Sequence, residues 1–206
     1  MNRTLLFLIV TAIGVGLLGG MSACAQGGPR TIIVSVNDHP RPWGESQIEK
    51  LLIRSLSMSS NLRAFSIDSN HDLMPPLPQD WYDADSLANW AMERGCRYVL
   101  AIDILDERLE RRKGFHLPLV FHKYQTVGII EADIRLFDAG RGKFLMTELL
   151  KVEENGPRVF QATMDDDIND PDLHLTTPRK LSFMARLEQK FCRHLIKKLG
   201  KEILLR

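Results

Sequence analysis

Two periods alternate along the chain, one of every second residue and one of three to four, and each switch between them marks an element boundary. TIIVSVND (31–38) is a compact β-branched run that predicts a strand covered on both faces. Ile48, Leu51, Leu52 and Leu56 then recur at helical spacing behind Ser46 and Glu49, a capping-box pair, so a helix is expected over 46–59. LRAFSID (62–68) alternates weakly and predicts a second strand, while the prolines of NHDLMPPLPQDWYDA (70–84) exclude regular structure. Asp85 is placed to cap a helix over SLANWAMERG, closed by Gly95 in a left-handed conformation. CRYVLAIDILDE (96–107) enters directly from that helix as a third strand.

Farther on, Ile130, Ala132, Ile134 and Leu136 alternate with Glu131, Asp133 and Arg135 in VGIIEADIRLFDA (127–139), giving one buried and one wet face. The turn DAGRGK joins this strand to FLMTELLKVEE (144–154) as an antiparallel hairpin. Thr177-Pro178 starts a last helix whose Leu181, Met184, Leu187, Phe191, Leu195 and Leu199 form one apolar stripe, with Gly200 as its expected end. The order β-α-β-α-β-β-β-α predicts a single α/β domain over 31–206, with helices packed on one or both faces of a mixed sheet.

The amino terminus changes the picture from a fold to a location. Arg3 precedes the apolar run Leu5–Leu18, which is too short and too rich in glycine for a permanent membrane span and reads as a signal peptide over 1–23. Two cleavage patterns overlap behind it. Ala23-Cys24-Ala25 has the A-x-A form that releases a soluble chain from Gln26. Met21-Ser22-Ala23-Cys24 has the form of a lipobox, which makes Cys24 an acylated (palmitate-bearing) first residue. Cys24, Cys96 and Cys192 are an odd set for an exported chain, and lipidation of Cys24 accounts for the extra one. Residues 24–30 then serve as a tether to the bilayer, and Cys96 and Cys192 are left either to pair as a disulfide or to stay as small buried residues.

Charge and motifs narrow the chemistry. Arg3 is the only charge in the leader, so loss of 1–23 lowers the 27 basic residues to 26 against 26 acidic ones, a neutral balance that argues against nucleic acid as a partner. No nucleophile elbow, phosphate loop, C-x-x-C or paired-histidine spacing is present, and neither a metal nor a cofactor is expected. The acidic stretch 164–175 opens like a calcium loop with Asp165, Asp167 and Asn169 but has Asp170 and Thr176 where glycine and glutamate are needed. His39, His71 and Trp43 lie in loops after strands, where α/β proteins hold small ligands. Asp103 and Glu131 are the carboxylates a hydrolase would draw on, or simply the wet face of the sheet. Arg193, Lys197, Lys198 and Lys201 suit a helix C-terminus, or contact with anionic headgroups or peptidoglycan.

Between the third and fourth strands, the charged run ERLERRKG (107–114) and the apolar FHLPLVF (115–121) fit no period. Arg111, Arg112, Phe115, Leu119 and Phe121 are the candidates for a partner contact there, with folding back under the helices as the alternative. GCRYVLAIDI (95–104), VGIIEADIRLFDAGRGKFL (127–145) and the terminal amphipathic helix resemble exported lipoproteins related to the curli-secretion protein CsgG, the TolB amino-terminal domain and LpoB. The resemblance implies a structural role for Asp138 and Gly142 in their turn. It also implies a non-enzymatic component of envelope assembly, secretion or cell-wall synthesis, working through protein partners or as a homo-oligomer. Ala25 after the lipidated cysteine implies the inner leaflet of the outer membrane, facing the periplasm. CsgG-like pores insert hairpins where 107–125 falls, but the consecutive charges and Pro118 depart from a membrane strand, which leaves a docking hairpin.

Overall fold

The structure of the protein, a computed structural model, describes residues 30–38, 46–59, 62–67, 77–78, 81–117, 121–162 and 175–204; of 59, 113–117, 121–124, 157–162 and 204 it describes the backbone alone. The elements are β1 (Arg30–Asn37), α1 (Ile48–Ser59), β2 (Leu62–Ser66), α2 (Ala84–Glu93), β3 (Tyr98–Leu117), β4 (Phe121–Asp138), β5 (Lys143–Ala162) and α3 (Thr177–Leu204). They build one five-stranded mixed sheet in the order β2-β1-β3-β4-β5, with β1 parallel to β2 and β3, and β3, β4 and β5 antiparallel. This is the expected element order and class. Cys24 and residues 1–29 lie outside the described residues, as do His39, Trp43, His71, Leu119 and the acidic stretch 164–174.

Helices cover both faces unequally. α1 and α3 pack on one face, where Ile48, Leu52, Leu56, Leu187, Phe191, Leu195 and Leu199 meet Ile32, Val34, Leu100, Ile102, Ile134 and Leu136. α2 covers only one end of the other face, seating Leu87, Trp90 and Ala91 against Ile33, Val99 and Phe137. The two helices of the first face are also tied to each other. Glu188 of α3, buried, accepts the Gln47 N–H at 3.3 Å, which puts a carboxylate at the start of α1.

Caps and turns follow local chemistry. Ser46 Oγ accepts the Ile48 N–H at 3.2 Å, but the Glu49 carboxylate of the expected capping box is taken by the Ser66 hydroxyl on β2. Gly95 closes α2 at φ +62° and Gly142 closes the β4–β5 turn at φ +61°, conformations that favour glycine. Asp138, buried, accepts the Gly140 N–H at 3.0 Å and draws in Arg141 at 3.7 Å, which gives it the structural role expected for that turn.

Three expectations are corrected, and the open alternative for the two cysteines is decided. The cap of α2 is Asp83, not Asp85: Asp83 has extended backbone and its carboxylate accepts the Ser86 N–H at 2.9 Å, while Asp85 falls in the first turn. α3 continues through Gly200 to Leu204, because Leu199 and Ile203 extend its buried stripe across that position. β1 begins at Arg30, one residue before its expected start. Cys96 and Cys192 do not pair. Both are free and buried, Cys96 in the core under α2 and Cys192 in the core under α1 and α3, so the sheet stands between them.

Candidate partner-binding ribbon

The segment 107–125, expected to project as a hairpin between two strands, is mostly strand. β3 and β4 stay paired from Tyr98↔Asp138 out to Leu117↔Phe121, and β5 follows β4 as far as Phe121↔Ala162. The result is a three-stranded ribbon that continues the sheet beyond the point where α3 begins.

A β-bulge explains both the ribbon and its illegibility. Between Ile104 and Asp106 the register of β3 slips by one residue. Before it, Leu100, Ile102 and Ile104 face α1 and α3; after it, Leu109, in register with Gly128, does so. The even-numbered charges Asp106, Arg108, Glu110 and Arg112 therefore turn to the open face, in register with Glu131, Ile129, Val127 and Gln125. A second slip, between Gln125 and Val127, sets Thr126 of β4 against Gly156 and Pro157 of β5. Asn155-Gly156-Pro157 reads as a turn in sequence, but β5 is an edge strand, where a bulge absorbs a proline without breaking the ladder.

On the open face the charges form a ladder. Arg108 pairs with Asp106 and lies 3.6 Å from Glu110, Glu110 pairs with Arg112, and Arg112 holds Glu153 of β5 through two bonds of 2.8 and 3.0 Å. Lys151 reaches Glu131 at 3.8 Å. The bidentate Arg112 guanidinium keeps the Glu153 carboxyl below its ordinary range, and the two carboxylates hold Arg112 charged. Val127 and Ile129 lie between these strands and are 1% and 0% exposed. In register, Ile129 stands between Arg108 and Glu153, and Val127 between Glu110 and Asn155. The charged residues of β3 and β5 thus flank the apolar row of β4 on both sides.

The opposite face is built for close approach. A Cβ on Gly128 would stand 2.9 Å from Leu187 Cδ2 and 3.0 Å from Phe183 Cε1, so the missing side chain seats α3 on the ribbon base. Beside it opens a groove of about 850 Å³ lined by Thr126, Glu154, Gly156, Leu175, Arg179 and Phe183, among others.

Of the five candidates, Arg111, Arg112, Phe115 and Phe121 are brought onto this ribbon. Arg111 is half-buried and in register with Thr126 on the α3 side; Arg112 is exposed and committed to Glu153. Phe115 and Phe121 are placed by backbone only. Sequence reasoning carried the third strand only to Glu154 and missed its continuation over 155–162. It also missed a register pair, His116 opposite His122, because no short spacing along the chain joins them. The two carboxylates weighed for a hydrolase have separate occupations: Asp103 accepts from Asn37 Nδ2 at 2.8 Å, and Glu131 faces Lys151. A smaller cavity of about 320 Å³ lies near Asn37, lined by Ser35, Leu77, Trp81 and Ala101 among others.

No protein-family model and no curated protein matches the chain. Among solved structures it is similar to a hypothetical protein from Chlamydia trachomatis, with 12% identity, TM-score 0.48 and coverage of 86% of this chain and 99% of that one. It is also similar to rare lipoprotein B from Shewanella oneidensis, at 11% identity and TM-score 0.42 over 84% of this chain and 95% of that one. TolB from Acinetobacter baumannii is similar at 16% identity and TM-score 0.36, over 61% of this chain and only 23% of TolB. The expected likenesses to TolB and to bacterial lipoproteins thus recur, while that to the curli-secretion protein stays an expectation. At these identities and scores they fix no function.

Proposed function

We propose that the protein is a lipid-anchored component of the bacterial envelope that works by protein contact, presenting the β3–β4–β5 ribbon to a partner in assembly, secretion or cell-wall synthesis. The observation that carries this is the ribbon itself: three paired strands continue past the helices, with a ladder of ion pairs on their open face. A ribbon of this kind needs no helix to cover it, and so remains available as a docking element. The lipobox at Cys24 supports membrane attachment, and the signal peptide supports export. The inner leaflet of the outer membrane is the place implied for a lipoprotein with Ala25 after its cysteine.

The test is photo-crosslinking in intact cells with a crosslinking amino acid at Phe115, Leu119 or Phe121, against controls at Met58 and Met92 on the helices. A discrete adduct from the ribbon positions and none from the controls is the expected result. Identical patterns at all five positions would remove the ribbon from consideration.

A further inference from the structure

The outer surface of the helical layer is basic. On α3, Arg179, Arg186 and Arg193 repeat every seven residues, and Lys197 and Lys201 continue the row. All five are exposed, on the side of the helix opposite Met184, Leu187, Phe191, Leu195 and Leu199. At the rise of an α-helix the row runs for about 33 Å. On α1, which packs on the same sheet face, exposed Lys50 and Arg54 lie opposite Ile48, Leu52 and Leu56.

These seven cations have no carboxylate partner among the described residues, although Arg186 rests over the Phe183 ring at 5.5 Å. The acidic groups of the two helices are engaged elsewhere. Glu49 accepts from Ser66, Glu188 is buried against Gln47, and Glu202 is half-buried with a partner. Lys190 and Lys198, by contrast, turn toward β5 and pair with Glu154 and Glu148. Simple C-terminal charge placement does not account for the row, because Arg179 and Arg186 stand in the first half of a helix that ends at Leu204.

A second observation says what meets this surface. Arg30, the first residue of β1, donates from Nη1 to the Ile203 carbonyl at 3.2 Å, so the chain enters the fold beside the C-terminal end of α3 and next to Lys201. Arg30 is six residues on from Cys24, a reach of at most about 20 Å. An acylated Cys24 therefore confines this end of α3 to the neighbourhood of the bilayer surface, whose negative field decays over roughly one Debye length, about 8 Å. No helix among the described residues is long and apolar enough to cross a membrane, and the outward face of α3 is charged rather than apolar, so the contact is with headgroups.

We infer that the outer face of α1 and α3 lies on the anionic headgroups of the membrane that holds the anchor. The tethered domain then sits with its helical layer toward the bilayer and its open sheet face turned away. The inference deepens the lipoprotein reading and rests on it.

The test reconstitutes the acylated full-length protein in vesicles of phosphatidylethanolamine with phosphatidylglycerol, and in vesicles of phosphatidylcholine alone, followed by brief lysine acetylation read by peptide mass spectrometry. On the anionic vesicles Lys50, Lys197 and Lys201 should react severalfold more slowly, reversibly with salt, while Lys151 on the open face is unchanged. Arg186→Gln, Arg193→Gln and Lys197→Gln together should abolish the protection of Lys50 and Lys201. Each cation removed weakens the surface attraction about fivefold, so on the order of 100-fold in all. Equal reactivity on both vesicle types overturns the inference, as does protection that appears only when peptidoglycan is added. The mass of the Cys24 peptide in the same digest reports the anchor separately. If Cys24 is unmodified the lipoprotein reading fails, and salt-sensitive co-sedimentation of the full chain with the anionic vesicles alone then decides the surface contact, its absence overturning it.

Discussion

Cys192 donates its thiol hydrogen to the Ile48 carbonyl at 3.7 Å, and burial, with Glu188 nearby adding to it, pushes its pKa up to about 12. Burial likewise raises Cys96. Neither thiol is a nucleophile near neutrality, since the thiolate is the reactive form. A thiol reagent at pH 8 should leave both unmodified in the folded protein and label both in denaturant, and reductant should not shift the melting curve. For Cys192 the native pKa lies above that of the unfolded chain, so its contribution is complete below about pH 9 and is lost as pH rises toward 12. Urea unfolding between about pH 9 and 11 should lose about 1 kcal/mol per pH unit through this group. Cys192→Ala should be flatter over that window, and a parallel slope in the variant would refute the assignment. At this scale the sequence is legible where the physics is local: Ser46, Gly95 and Gly142 do what their neighbours dictate. Which aspartate caps α2 was not legible, because Asp83 and Asp85 both precede the apolar run and only backbone conformation separates them. Whether two cysteines pair depends on which side of a sheet each enters, which no local pattern carries.

Strands and helices were legible wherever one face is buried by a helix, since that burial imposes the period being read. β1, α1, α2, the inner half of β4 and the apolar stripe of α3 all meet that condition. The ribbon does not. No helix among the described residues covers its open face, and a single-residue slip in β3 moves Arg108, Glu110 and Arg112 out of phase with Ile102 and Ile104. The β5 extension was hidden by Gly156-Pro157, whose turn-forming character is spent on a bulge. That bulge sets a sharp steric demand. A Cβ on Gly156 would stand 2.9 Å from the Thr126 carbonyl oxygen and 3.4 Å from the Phe183 ring, so Gly156→Ala must move backbone. The cost should be about 1–3 kcal/mol in urea unfolding. Gly128→Ala meets only side-chain atoms, of Leu187, Phe183 and Leu109, and should cost less. The reverse ranking would mean that the ribbon base is not held by the Gly156 contact.

At the scale of the whole molecule, attachment and orientation are separable, and the Cys24 stretch allows each to be removed alone. Cys24→Ala destroys the lipobox but leaves Ala23 and Ala25 in place, and these two alanines keep the A-x-A form, so ordinary cleavage should still release a chain from Gln26. Cys24 precedes β1 in the chain, and the melting curve of the released domain should match that of the lipidated protein measured in detergent. Location should change in two steps. A lipid anchor combined with a basic face is a two-signal attachment, in which either signal alone is weaker and reversible. Cys24→Ala should therefore leave the tightly bound membrane fraction yet keep a salt-extractable remainder through Arg186, Arg193 and Lys197. Adding the three glutamine substitutions should make the protein fully soluble at low salt. The substitutions at the basic face alone, with Cys24 intact, should leave the protein in the membrane pellet but unconstrained in orientation, so Lys50 and Lys151 become equally accessible. Fractionation at low and high salt of the four chains separates these outcomes. A Cys24→Ala chain that stays in the membrane pellet at high salt would mean that the leader is retained as an anchor and that the lipobox was not the signal in use.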